Sequence, residues 1–330
     1  MSGSPAARVE RYVDADSVVF DGYDMKTWYP SPYPLESPVP KLWVCAGCLK
    51  YMRSSGAHIM HQKTCPLTHP PGRRVYQRGA HIVWEIDGAI STLYAQHLSL
   101  LGKLFIDHKT VFFDVEPFQF YVLTDAESQF DHVLAYFSKE KISYDDCNLA
   151  CIVTLPPYQR KGYGMLLIEL SYCLSRRSQL AGTPERPLSA LGLKGYIAYW
   201  TAAVLRTLQR AFDEAGDGPT RKLLDGHIAE IQPSQAKAKR HKTHKGWQGE
   251  LDIIPDSAEL QHKPAPLEMC TRLEHLAAAS GLRVADTTLG LANADLLTSD
   301  GSIVISRESV AVAAKRVGLK PQIIDEAYLL

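Results

Sequence analysis

The sequence contains no run of about eighteen consecutive apolar residues, so no membrane-spanning helix is expected. It has no excess of either charge. Its 36 Lys and Arg residues balance 36 Asp and Glu, so the broad basic footprint of a nucleic-acid binder is missing and a charged partner must be met locally. The first residues, MSGSPAARVERYVDADS, lack the apolar segment of a secretory signal. Seven cysteines, an odd number in a chain of 330 residues, argue against a disulfide framework and for thiols or metal ligands. What is present is ordinary for a globular protein, 45% apolar and 22% charged. The length allows one large core or two ordinary ones.

The rest of the chain is arranged around residues 151–165, CIVTLPPYQRKGYGM. Cys151, Ile152, Val153, Thr154 and Leu155 read as a short buried strand that Pro156 and Pro157 stop. A turn with Gln159, Arg160, Lys161, Gly162, Tyr163 and Gly164 leads into a helix. There Met165, Leu166, Leu167, Ile168 and Leu170 are apolar, and no breaker falls before Gly182. Strand, glycine turn and helix form an anion-binding geometry: glycine lets the backbone come close, the first helical amides point outward, and the macrodipole favours negative charge. Arg160 and Lys161 add positive charge. A glycine pair before a helix is also often only a tight connection. The turn has neither the G-x-G-x-x-G nor the G-x-x-x-x-G-K-[ST] pattern. Its Q-x-x-G-x-G resembles the coenzyme A pyrophosphate loop of GNAT-like acetyltransferases.

Cys45, Cys48, His61 and Cys65 have zinc spacing, C-x2-C-x12-H-x3-C. The first pair presents two thiolates from one turn, and His61 and Cys65 lie one helical turn apart. Four such ligands suit a closed structural site. His58 is a rival to His61, but it leaves six residues before Cys65, too many for one helical turn. The segment between the ligand pairs is not strongly basic, which favours folding and docking over DNA reading.

Prolines at 30, 32, 34, 38 and 40 make an extended strap, and Trp28, Tyr29 and Tyr33 argue that it packs. From Arg74 the apolar period becomes two. Strands are expected at 75–76, 82–86, 111–113, 118–123 and 132–137, with turns at Asp87-Gly88 and Asp145-Asp146. Residues 91–105 form an amphipathic helix followed by a polar turn, IDHKT, in which Lys109 reads as a solvated lysine. Residues 175–186 read as a polar loop, and 191–209 as a helix burying Tyr196, Tyr199, Trp200 and Leu205. The run KAKRHKTHK lies in a charged stretch, 211–265, expected to be disordered, with a nuclear localisation signal or a phosphate-binding tether as its functional readings. Residues 271–310 read as helix, turn at Gly281, helix over 285–297, and hairpin at Asp300-Gly301. That is helix-turn-helix or winged-helix-like, but its second helix has almost no Lys or Arg, so a scaffold role is expected.

Several ordered blocks carry a closer resemblance: TWYPSPYP, CAGCLKYM, KLFIDHKTVFFDVEPFQFYVL, YFSKEK, NLACIVTLPPYQRKGYGMLLIELSY, TPERPLSALGL and AYW. Together they resemble the MYST family of histone acetyltransferases from about residue 18 to 205, and more weakly near the C-terminus. The resemblance implies an α+β fold with a GNAT-like core, a mostly antiparallel sheet flanked by helices. It also implies an N-terminal CCHC zinc finger and a helix-turn-helix or winged-helix-like C-terminal segment. The expected layout is a mobile 1–15, an N-terminal segment 16–74 holding the finger at 45–65, an acetyl-CoA-binding catalytic core 75–210, the insertion 211–265 and the C-terminal segment 266–330.

The same resemblance assigns roles. Glu185, in TPERP, matches the family's P-E-K-P glutamate, with Arg186 in place of Lys, and is the expected general base. A partly apolar pocket would raise its pKa toward neutrality. Cys151 matches the active-site cysteine, either as a thiolate nucleophile or as a residue that shapes the pocket; a buried strand cysteine is the plainer reading. Ile152, Val153 and Thr154 would pair with the pantetheine arm. Gln159, Arg160, Lys161, Gly162, Tyr163, Gly164 and Met165 would hold the pyrophosphate, and Ser189 would touch the cofactor. Lys109 matches an autoacetylated lysine. The implied cosubstrate is acetyl-CoA, and Zn2+ is structural. The implied partners are histone tails (H4, H3 and variants of a third core histone) and nucleosomes reached through other subunits of a complex, in the nucleus. Direct DNA binding is left open. A catalytically silent chromatin adaptor and an acetyltransferase for non-histone lysines are the alternatives. CAGC, where the family carries bulkier residues between the finger cysteines, and KISYDDCN before the core strand depart from the family pattern.

Overall fold

The computed structural model describes residues 15–126, 130–215, 222–223, 269–270, 272–297 and 305–330. Near the N-terminus, alternate apolar residues in two short runs (Val18 and Phe20, Leu42 and Val44) are all buried. These runs are β1 (Ala15–Phe20) and β3 (Val39–Val44), which pair in parallel. With β2 (Tyr23–Lys26) and β4 (Tyr51–Met52) they make a sheet of order β2-β1-β3-β4. A parallel pair needs a crossover, and the proline strap supplies it. The Trp28 and Tyr29 amides both donate to the Leu104 carbonyl, at 2.9 and 3.1 Å. Ser31 Oγ donates to the Leu100 carbonyl at 2.8 Å, and Tyr33 is buried. The strap is therefore packed, as its aromatics imply. α1 (Ser55–Gln62) follows, capped by the Ser54 hydroxyl.

The main sheet is formed by β5 (Arg73–Arg78), β6 (His81–Asp87), β7 (Phe118–Ala126), β8 (Asp131–Glu140) and β9 (Cys151–Thr154). They lie in sequence order and every pair is antiparallel. α2 (Thr92–Lys103) shares a core with this sheet through Tyr94, Ala95, Leu98 and Leu101 against Ile86, Phe120, Val122, Tyr136 and Val153. The antiparallel sheet and flanking helices are those expected of the α+β core. Residues 111–113 are not a strand. The Phe113 carbonyl is taken by the Val115 amide at 2.9 Å and by Gln96 Nε2 at 2.9 Å, so it cannot enter a ladder.

Two compact units result. One comprises the chain to Tyr144, Leu149–Leu167 and Asp325–Leu330; the other comprises Asp145–Asn148 and Ile168–Ile324. Within the first, the chain end returns to β5. The Leu330 amide donates to the Val75 carbonyl at 3.0 Å, and Tyr76 bridges Leu329.

α3 (Tyr163–Arg177) runs three residues into the stretch expected to be loop, where the Ser175 hydroxyl bonds back to the Ser171 carbonyl at 3.0 Å. The second unit adds α4 (Ala190–Ala215), the short parallel pair β10 (Lys222–Leu223) and β11 (Met269–Cys270), α5 (Leu273–Ser280), α6 (Val284–Asn293) and α7 (Arg307–Val317). Its core includes Trp200, whose Nε1 donates to the Tyr172 hydroxyl at 2.7 Å. Gly281, in the left-handed region, joins α5 to α6. α6 stops short of residue 297 because Asp295 turns left-handed, at φ 51°. α7 was not anticipated; a Ser306–Ser309 capping box starts it. Residues 1–14, most of 211–265 and the hairpin at Asp300-Gly301 lie outside the described residues. No helix among the described residues is long and apolar enough to cross a membrane.

Candidate functional site

The zinc ligands come together. One donor atom each from Cys45, Cys48, His61 and Cys65 lies within 4.8 Å of the others. Cys45 Sγ is 3.7 Å from Cys65 Sγ, and Cys48 Sγ is 3.1 Å from His61 Nε2. Tetrahedral zinc with Zn–S bonds of about 2.3 Å would set its sulfurs about 3.8 Å apart, so the donor set fits the ion. A hydrogen bond from Cys48 holds the Cys45 thiol down, while the same bond, with burial, pushes Cys48 up. A cation between them is what lets both ionise. The Cys65 amide donates to the His61 carbonyl at 2.9 Å, the one-turn geometry that the spacing implies. The small residue in CAGC has a reason here: a Cβ on Gly47 would lie 2.2 Å from the Leu67 carbonyl oxygen.

The central motif is a strand at the end of its sheet, a turn and a helix. The Leu155 amide donates to the Leu134 carbonyl at 3.0 Å. Antiparallel alternation then turns the backbone groups of Ile152 and Thr154 to the open side of β9. Residues 156–158 form a single 3-10 turn, with the prolines at its start. Gln159 Nε2 donates to the Thr154 carbonyl at 3.0 Å, closing the turn back on the strand.

Two residues of the turn are left-handed, Arg160 at φ 63° and Gly162 at φ 91°. Glycine accepts this freely and arginine does not; a non-glycine held there marks a loop whose shape matters. Arg160, Lys161 and Gly162 are exposed, and Tyr163, Gly164 and Met165 are half-buried at the start of α3. Lys161 Nζ lies 5.5 Å from the Tyr158 ring centre. The Tyr158 hydroxyl donates to Asp21 Oδ2 at 3.0 Å, and Asp21 also meets His132 Nδ1 at 2.8 Å. Burial pushes the Tyr158 hydroxyl above its ordinary range, and Asp21 adds to this. Asp21, His132 and Tyr158 were not anticipated.

Cys151 is half-buried. Its partner in β8 is Ser138, and it shares the core face with Val153 and Tyr136. Lys109 is buried, not a solvated turn lysine. The preceding turn is drawn in by Lys103, whose ammonium donates to the Ile106 and Asp107 carbonyls at 3.3 and 2.5 Å.

Glu185 and Ser189 belong to the second unit. Glu185 is exposed, not enclosed by the partly apolar pocket expected of a base. Its neighbours are held tightly. Thr183 Oγ1 donates to Asp286 Oδ2 at 2.8 Å, and Arg186 Nη2 donates to Asp286 Oδ1 at 2.7 Å. Ser189 is exposed and caps α4: its Oγ accepts from the Gly192 amide at 3.1 Å.

Comparison with known proteins identifies the family. Residues 14–65 match the MYST family zinc finger domain, and residues 69–226 match the MOZ/SAS family. The chain is 50% identical over 198 residues to histone acetyltransferase KAT6A of Homo sapiens and of Mus musculus, covering 60% of this chain and 10% of each relative. It is 48% identical over 192 residues to histone acetyltransferase KAT6B of Homo sapiens, 58% of this chain and 9% of that protein. The chain thus spans about a tenth of the length of these relatives. The two family matches, in that order along the chain, show that it belongs to the MYST family.

Proposed function

We propose that the protein is a lysine N-acetyltransferase that acts on histone tails and draws its acetyl group from acetyl-CoA. The observation that carries the reading is the open backbone of β9 running into a left-handed glycine turn and the first amides of α3. It offers main-chain donors and acceptors to an extended amide-bearing arm, and then amides to a pyrophosphate. When bound, acetyl-CoA supplies an activated acyl thioester. Ile152 and Thr154 line its arm, and Gln159 to Met165 hold its phosphates, with Arg160 and Lys161 as counter-charges. Ser189 adds a polar contact at the start of α4.

A protonated lysine has no lone pair, so the reaction needs a proton acceptor. Glu185 takes that proton. Its exposure leaves a bound tail and cosubstrate to supply the dry surroundings that raise a carboxylate's pKa. Cys151 borders the acetyl position. Its place on the core face, beside Val153, supports a pocket-shaping role. Burial of Lys109 supports the reading of this residue as an autoacetylation site, since loss of its charge would ease its desolvation. The zinc finger is structural. The tails of H4, of H3 and of a third core histone's variants are the substrates, and the nucleosome, in the nucleus, is reached through partner subunits.

The test is transfer from labelled acetyl-CoA to H4 and H3 tail peptides, with wild type beside Glu185→Gln. Turnover should fall at least a hundredfold in the variant, while acetyl-CoA affinity stays the same. Equal turnover in the two proteins would remove Glu185 as the base.

A further inference from the structure

We propose that Asp286, in the first turn of α6, is a positioning residue for Glu185, its carboxylate gripping the TPERP loop on both sides of the base. The proposal rests on the reading of Glu185 as general base. Asp286 is 1% exposed. One of its oxygens accepts from Thr183 Oγ1 at 2.8 Å, the other from Arg186 Nη2 at 2.7 Å. Thr183 and Arg186 flank Pro184-Glu185, so one carboxylate spans the segment that carries the base.

A buried carboxylate is expensive unless it is paired and fully hydrogen-bonded. Here both of these partners come from the loop. Burial pushes the Asp286 carboxyl up, while Thr183 and Arg186 draw it back down. The rest of the loop is pinned from other sides. The Asn148 amide donates to the Thr183 carbonyl at 2.9 Å. Gly182 bridges Leu282, just before α6, and a Cβ on Gly182 would stand 2.3 Å from Asn148 Nδ2. The Arg186 guanidinium sits 5.7 Å from the Trp200 ring centre. α6 itself is fixed to α4 by Asn293 Nδ2, which donates to Thr201 Oγ1 at 3.0 Å. The loop thus has little freedom at residues 182, 183 and 186, although Glu185 is exposed. That is what a proton acceptor needs when its partner arrives from solution: a fixed carboxylate on an accessible loop.

The arginine matters in this chain. It joins a planar guanidinium on an aromatic face to an ion pair, whereas a lysine would keep only the charge. Arg186→Lys is therefore the intermediate variant, which keeps the charge alone, and Arg186→Met the disruptive one.

The experiment uses the full chain with an H4 tail peptide. For Asp286→Asn, Thr183→Val, Arg186→Met, Arg186→Lys and Glu185→Gln it measures kcat, KM for peptide, acetyl-CoA affinity, the pH profile of kcat/KM and the melting temperature. Asp286→Asn and Arg186→Met should lower kcat about 10- to 100-fold and displace the acid limb of the profile, with acetyl-CoA affinity unchanged. Arg186→Lys keeps the ion pair and loses the stacked planar fork, so its kcat should fall between those of wild type and Arg186→Met. If Asp286→Asn does not fold, Arg186→Met and Thr183→Val decide by the same readouts. Folded variants that turn over like wild type, or that lose only melting temperature, would overturn the proposal. Full turnover in Glu185→Gln would remove the base assignment and this proposal together. A dead Glu185→Gln beside active Asp286→Asn and Arg186→Met would remove this proposal alone.

Discussion

Gly164→Ala separates what the protein needs at that position from what a ligand needs. A Cβ built there meets one atom within 4 Å, Thr154 Oγ1 at 3.6 Å, an ordinary van der Waals distance. Gly164 is in the first turn of α3 and is not left-handed. Alanine therefore fits the folded chain and restricts the unfolded one, a change worth about 0.4–1 kcal/mol of added stability. The melting temperature should rise by about one degree. The ligand gives the opposite sign. If phosphate oxygens bond the amides here, a methyl group holds them off, and a hydrogen bond to a charged group is worth about 1.5–3 kcal/mol. That corresponds to roughly a 10- to 100-fold loss of acetyl-CoA affinity. Isothermal titration with acetyl-CoA, beside a thermal melt without ligand, reads both. Gly162→Ala is the control. Gly162 sits at φ 91° with nothing within 4 Å of its Cβ, so alanine there is strained by the backbone and should lose about 1 kcal/mol instead. A Gly164→Ala protein that is more stable and binds acetyl-CoA as tightly as wild type would show that the anion does not sit on this turn.

Chelation of zinc, or Cys48→Ser, should lower the melting temperature sharply, by several kcal/mol of lost binding energy. Far-UV circular dichroism and zinc quantitation would check it, and unchanged stability would mean that the four ligands are not a structural site. Asp87 is held below the usual carboxylate range chiefly by the Lys141 ammonium at 2.6 Å. Its folded pKa lies below its unfolded one, so the pair contributes stability above about pH 4 that is lost as pH falls through the folded value. Lys141→Met should therefore lower stability by under about 1 kcal/mol at pH 7 and by nothing measurable once both states are protonated. Denaturant melts at several pH values would show whether the difference closes on the acid side.

The parts of the site that local chemistry writes were legible. Pro156 and Pro157 end a β-branched strand, glycine opens the turn, and an apolar helix follows, all within fifteen residues. The finger was legible because zinc demands four donors at set spacings, and those four meet. What was not legible depends on residues far apart in the chain. Asp21 and Tyr158 are 137 residues apart, and Asp286 and Thr183 are 103 apart. An aspartate in a D-G turn and another in a helix give no sign of the loops they hold. Lys109 misled for a related reason: a lysine between polar residues reads as solvated until Lys103 draws the preceding turn inward. Residues 111–113 misled because three apolar residues have strand character by propensity, while side-chain capture of the Phe113 carbonyl takes away the ladder.

The two ends of the main sheet put the strand-edge argument on physical ground. An open edge is a row of unpaired donors and acceptors, and proteins cover it, shorten it or interrupt it. At β5 the chain covers it with its own C-terminal residues, through the Leu330 amide on the Val75 carbonyl and the Tyr76–Leu329 bridge. At β9 it does something else. The strand has four residues, two prolines stop it, and Gln159 takes up the Thr154 carbonyl. Those features keep another strand from pairing along it while leaving the Ile152 backbone facing outward. A short arm with only a couple of amides can pair there, whereas a polypeptide strand would run into the prolines. On the proposed reading, a terminal strand too short for a polypeptide partner is long enough for a pantetheine arm, and the turn proposed to hold the anion follows that strand and not one of its longer neighbours.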